Sequence, residues 1–96
     1  MEVTIEHYEE DQEFIAQLDE GEAELAYSLP KEGVMDIQHT YVSEELRGEG
    51  IAEQLAKTAL EYAKSKQWKV IATCPFVSSY VKRHSKEYKS LLADPL

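Results

Sequence analysis

Three groups of residues in this sequence have the types and spacing to do chemistry. Cys74 is the only thiol, and His39 carries an imidazole of the kind that titrates near neutrality. The third is Arg47-Gly48-Glu49-Gly50-Ile51-Ala52, two glycines one residue apart behind an arginine. The glycines let a backbone turn sharply and approach a ligand without side-chain interference. A helix starting there would offer phosphate oxygens its unpaired N–H groups and the positive end of its dipole. Arg47 adds a charged donor, and Ala52 keeps the first turn slim. A Walker loop needs Gly-Lys-Ser/Thr, which is absent, and a dinucleotide fingerprint needs a third glycine where Glu53 stands. Taken alone, Gly-x-Gly reads first as a plain β-to-α turn. No spacing of His, Cys and Asp suggests a metal site.

The elements that must position these groups are legible from periodicity. Val3-Thr4-Ile5 and Phe14-Ile15-Ala16 are the first two strand candidates. Ala23, Leu25, Tyr27 and Leu29 then alternate with Glu22, Glu24, Ala26 and Ser28, as a half-buried strand requires. Pro30-Lys31-Glu32-Gly33 supplies a turn. Val34 to Val42 follows as a long strand, whose strict alternation puts Met35, Ile37, His39 and Tyr41 on one face. The period then changes from 2 to 3.6. Ile51, Ala52, Leu55, Ala56, Ala59, Leu60, Tyr62 and Ala63 recur at helical spacing, and the alanines let this helix lie close on a sheet. Trp68 to Cys74 reads as a strand stopped by Pro75, and a short helix spans roughly 77–84 before a tail with Tyr88, Leu91 and Leu92. Tyr8, Tyr27 and Trp68 read as core or strand-surface aromatics. The order ββββ-α-β-α places one long helix as a crossover between two strands. The expected fold is an α+β domain: a mixed, mainly antiparallel sheet with a central helix packed on it and a short C-terminal helix.

Length and charge narrow the partners. Ninety-six residues make one domain, 1–96, with no room for a second core. No apolar run approaches the roughly 20 residues that span a bilayer, and the N-terminus does not read as a signal peptide. A lone cysteine fits a reducing cytoplasm. The net charge of −9 argues against nucleic acid as a partner. Residues 1–30 hold ten carboxylates and no Lys or Arg, whereas Lys66, Lys69, Lys82, Arg83, Lys86 and Lys89 gather in the last third. Such a division suits a cationic substrate at one side and a phosphorylated cofactor at the other; it also describes two ordinary solvated surfaces.

Arg47-x-x-Gly50-x-Ala52, behind a long strand and ahead of a helix, resembles the Arg/Gln-x-x-Gly-x-Gly/Ala signature of the GNAT acetyltransferases. His39-Thr40-Tyr41-Val42, the glycine turn and Cys74-Pro75-Phe76 are similar, in order, to the pieces of a small GNAT-like subgroup. The resemblance runs from about Val34 to Tyr88. It implies a splayed sheet with acetyl-CoA between the fourth and fifth strands. Backbone near Tyr41 and Val42 would pair with the pantetheine amides, and Arg47, Gly48, Glu49, Gly50, Ile51 and Ala52 would hold the pyrophosphate. Tyr80, one residue before the place where larger members often carry a tyrosine acid, is counted among the cofactor-binding residues, and Arg83 would lie near the 3′-phosphate or adenine. The chain lacks the helical insertion and C-terminal strands that usually shape the acceptor site, and Cys74 and Val81 stand where larger members often carry Asn and Tyr.

The reaction implied is acetyl transfer from CoA to an amine; the sequence leaves the acceptor open, and its run of carboxylates would suit a lysine-bearing peptide or a polyamine. His39 is then a candidate base, or else a partly buried polar residue on the strand. Cys74 has three readings: a small core residue, a wall of the thioester site, or an acetylated nucleophile. Two other functions stay open, a non-catalytic CoA-binding module and an interaction domain using the acidic sheet.

Overall fold

The computed structural model describes residues 3–93; Met1 and Glu2, on which the signal-peptide reading partly rests, and Asp94 lie outside them. Five strands form one sheet in chain order. They are β1 (Ile5–Tyr8), β2 (Glu13–Leu18), β3 (Gly21–Lys31), β4 (Val34–Val42) and β5 (Lys69–Ala72). The first four are an antiparallel meander, and β5 joins β4 in parallel after the crossover helix α1 (Ile51–Ser65). Two shorter helices follow, α2 (Pro75–Arg83) and α3 (Ser85–Tyr88). Strand β1 begins at Ile5, so Val3 and Thr4 precede it, and β5 begins at Lys69, leaving Trp68 just outside.

The core forms where the alanine stripe of α1 meets the sheet. Ala56, Ala59 and Ala63 are fully buried, as are Leu55 and Leu60, against Ala16, Ala23, Leu25, Met35 and Ile37. Small side chains on the helix let its axis approach the strands, and the larger aliphatics fill the space at either side. Helix α2 adds Val77 and Val81 to the same cluster. The Tyr88 hydroxyl ties the C-terminal segment to α1 by donating to Glu61 at 2.8 Å. Beyond α3 the chain turns back along β5: Ala93 N–H donates to the Val70 carbonyl at 2.9 Å, and Lys69 Nζ donates to the Ser90 carbonyl at 2.8 Å.

Strict alternation along β4 fails at one residue. Ala26 pairs with His39, but its neighbour Tyr27 pairs with Ile37, so Gln38 has no partner of its own. This β-bulge advances the side-chain phase by one. Met35 and Ile37 stay in the core, His39 and Tyr41 are exposed, and Thr40 and Val42 take the helix-facing side. The expectation that Met35, Ile37, His39 and Tyr41 share a face is therefore corrected. The extra residue leaves no mark in hydrophobic periodicity, because both Gln38 and His39 are polar.

An aromatic cluster fastens the outer strands to the end of α1. His7 stacks on Phe14 with centroids 4.1 Å apart, meets Tyr62 edge-on at 4.4 Å, and shares a 2.5 Å hydrogen bond between its Nε2 and the Tyr27 hydroxyl. Burial lowers the His7 pKa, outweighing the nearby Glu9 charge, and burial likewise raises Tyr27 to about 12. The folded state thus binds fewer protons at His7 than the unfolded chain. Its contribution to stability is complete above the unfolded value of about 6.5 and is lost as pH falls through the lower folded value. The melting temperature of wild type should accordingly fall toward that of a His7→Gln variant as pH drops from 7.5 to 5.5, measured on both proteins in parallel.

Gly21 is fixed by close approach rather than by its backbone angles. A Cβ there would stand 2.1 Å from Ser43 Oγ. Around it Ser43 N–H donates to the Glu22 carbonyl at 2.9 Å, and Glu22 N–H donates to Ser43 Oγ at 3.2 Å. This clasp binds the β2–β3 turn to the residue that follows β4. Gly21→Ala should cost about 1–3 kcal/mol through overpacking, seen as a lowered melting temperature that the double variant Gly21→Ala/Ser43→Gly partly restores.

Candidate functional site

Strands β4 and β5 pair only from Val34–Lys69 to Ile37–Ala72. One more backbone bond, from Cys74 N–H to the Ile37 carbonyl at 2.9 Å, closes that run. Pro75 then opens α2 and turns the chain away, since proline fits the first turn of a helix but cannot continue a ladder. Strand β4 nevertheless continues to Val42, so residues 38–42 border a split that no strand fills.

At the mouth of that split lies the glycine turn. After Ser43 a short 3-10 turn, Glu44–Leu46, drives Leu46 into the core, where it is 2% exposed and anchors the loop. Arg47 is extended, and its Nε donates to the Val42 carbonyl at 3.3 Å. Gly48 and Gly50 both have positive φ, +87° and +76°, and a Cβ on either would meet no atom within 4 Å. Both glycines are therefore needed for conformation and not for space. Gly50 is the N-cap of α1, and no side chain caps the helix. The first-turn N–H groups of Ile51, Ala52 and Glu53 consequently face outward without an internal acceptor.

A pocket of about 250 Å³ lies over this helix end, lined by Val42, Leu46, Arg47, Gly48, Gly50, Ile51, Ala52, Glu53 and Phe76. That is below the roughly 300–1,000 Å³ of a site enclosing a drug-sized ligand, so it suits one segment of a longer molecule. Of the expected cofactor residues, Val42, Arg47, Gly48, Gly50, Ile51 and Ala52 meet here. Glu49 belongs to the turn without lining the pocket. Sequence reasoning missed Leu46 and Phe76 as walls. The apolar Leu46 between charged neighbours was a readable sign, and Phe76 sat inside a motif already singled out.

The other expected residues lie around this centre. Cys74 is 6% exposed, and its Sγ is 3.5 Å from Thr40 Oγ1 across the split. Thr40, brought to this side by the bulge, is thus the side-chain partner of Cys74. His39 and Tyr41 lie on the opposite, open face of β4, Tyr41 42% exposed. Tyr80 is buried between His84 and Tyr88, with ring centroids at 4.3 and 6.1 Å. Burial, then the Glu87 and Glu53 charges, raise its pKa and keep its hydroxyl protonated as a donor. Arg83 is exposed in the last turn of α2.

A mixed sheet split between two parallel strands, with a glycine turn and a bare helix end at the split, defines a GNAT-type fold. The chain belongs to the GCN5-related N-acetyltransferase family, whose sequence profile matches residues 13–91. Protein NATD1 of Gallus gallus and of Mus musculus is 33% identical over 84 residues, covering 85% of this chain and 76% of each relative. A GCN5-like protein of Staphylococcus aureus, solved in solution by NMR, superimposes with a TM-score of 0.70 at 29% identity, covering 94% of this chain and 87% of its own.

Gly50 offers a direct check on the turn. Asparagine tolerates left-handed backbone and β-branched valine does not. Gly50→Val should lose about 1–2 kcal/mol in thermal unfolding, and Gly50→Asn distinctly less.

Proposed function

We propose that the protein transfers an acetyl group from acetyl-CoA to a primary amine. The observation that carries this reading is the pocket formed where Arg47, Gly48 and Gly50 meet the uncapped start of α1, directly beside the split between β4 and β5. The first-turn N–H groups and the Arg47 guanidinium would hold the pyrophosphate, where charge-assisted donors are strongest. Val42, Leu46 and Phe76 would exclude water on either side. Backbone of residues 41 and 42, on the unpaired edge of β4, would hydrogen-bond the pantetheine amides. Tyr80 and Arg83 would serve the nucleotide end, Tyr80 as a neutral donor and Arg83 through an exposed charge.

The thioester supplies an activated acetyl carbon, and the chain's own residues handle position and protons. An amine arriving from the open face of β4 meets His39, which takes its proton as the N–C bond forms. The C–S bond then breaks, and the departing thiolate collects a proton at the solvent-open split. The products are an amide and free CoA. Cys74 walls the sulfur end, held by Thr40, and transfer runs directly from donor to acceptor without an acetylated enzyme.

CoA should raise the melting temperature by mass action, equivalent to about 2.7 kcal/mol at a hundredfold excess over its dissociation constant. With acetyl-CoA and amine, free thiol should appear, Cys74→Ser should retain most of the rate, and His39→Gln should lose at least tenfold with a changed pH profile. A Cys74-dependent acetyl group on the protein, competent to pass to amine, would overturn direct transfer. Stabilisation by CoA without turnover on any amine would leave a binding module.

A further inference from the structure

One face of the sheet carries α1 and the core; the other carries no helix among the described residues. Register places two cross-strand rows on that open face. Glu6, Ile15, Glu24 and Tyr41 form the first, and Tyr8, Glu13, Ala26 and His39 the second. None of the eight is buried. Glu22 and Asp36 lie on the same face, and the only Lys or Arg on β1 to β4 is Lys31, at the far end of β3.

Some of these carboxylates are already engaged. Glu6 accepts from the Tyr8 hydroxyl at 3.2 Å, and Asp36 from Thr73 at 2.5 Å and Gln38 at 3.4 Å. Glu13, Glu22 and Glu24 have no cationic partner among the described residues. Glu13 and Glu24 are diagonal neighbours on adjacent strands, and partial desolvation, then the Glu24 charge and a side-chain hydrogen bond with Glu24, raise the Glu13 carboxyl. Two carboxylates this close repel each other when both are ionised, and a cation lying between them relieves that repulsion. The two rows end on β4 at His39 and Tyr41, beside the split.

The shape of this surface selects the ligand. Small ligands are held in concavities, whereas this is an open sheet face. Exposed Tyr8 and Tyr41 offer flat rings for lysine methylenes or arginine planes. An extended peptide, with alternate side chains about 6.6–6.8 Å apart, can lay several cations on such a face at once.

We propose that this open face docks an extended, lysine-rich segment of a protein substrate, one lysine passing beside Tyr41 and His39 toward the split while its basic neighbours lie on Glu13, Glu22 and Glu24. The proposal rests on the acetyl-transfer reading for its outcome but not for its binding. Its test uses a fluorescein-labelled peptide of alternating lysine and serine, followed by anisotropy without any acyl donor. Binding should weaken steeply with salt and fall about fivefold or more in Glu13→Gln/Glu24→Gln, while the CoA-induced melting shift is unchanged. In wild type, added peptide should move amide signals of residues 13–17, 22–26 and 39–41 and spare those of α1, which guards against a misfolded variant. Equal binding by the double variant, signal changes confined to α1, or equal competition by spermine would overturn it. Peptide docking without any CoA-induced shift would sustain the docking face and sink the acetyl-transfer reading instead.

Discussion

Beyond Ile37, β4 keeps one neighbour and loses the other, and the site depends on that parting. Up to that residue β4 is an interior strand with both edges satisfied. Past it, Pro75 has taken the chain into α2, so donors and acceptors on one edge of β4 are left over. An unfilled edge inside a fold costs free energy unless water or a ligand pairs with it. The loop anchored by Leu46 and the turn through Gly48 and Gly50 set the start of α1 at the same place. Two incomplete hydrogen-bonding systems, a strand edge and a helix end, are thereby brought to one opening.

The bulge at Gln38 allots side chains to the two sides of that opening. Without it, His39 and Tyr41 would face α1, and Thr40 would point to solvent. With it, Thr40 meets Cys74 on the enclosed side, while the imidazole and a phenol ring stand on the open side. One unpaired residue therefore separates the lining that packs the thiol from the lining that greets solvent. The clasp between Glu22 and Ser43 acts on the same strand at its C-terminal end, holding the residue after Val42 to the β2–β3 turn.

Much of this was legible in the sequence. The change of period after Val42 marked α1, the alanine stripe marked its closeness to the sheet, and the glycine spacing marked the turn, because each is a local pattern. Leu46 was missed although its sign was local; the face of His39 and the place of Phe76 were not local matters. The face of His39 depended on a register with β3 that polar residues at 38 and 39 do not betray. Phe76 became a pocket wall only because the chain folds back after Pro75, a matter of tertiary geometry. Cys74 and Thr40, thirty-four positions apart, carry no pairwise signal in a single sequence.

The return of the chain after α3 has a consequence for how molecules of this protein meet one another. Strand β5 is the last in the sheet, and its last three residues are Val70-Ile71-Ala72, an apolar edge of the kind that recruits a second sheet. Leu92 forms a bridge beside Val70, and Ala93 and Ser90 take backbone and side-chain bonds there. The C-terminal segment thus acts as a stopper, leaving as the other border only four-residue β1, which carries the exposed Glu6. A sheet bare on one face is in this way hindered from growing sideways through its β5 edge.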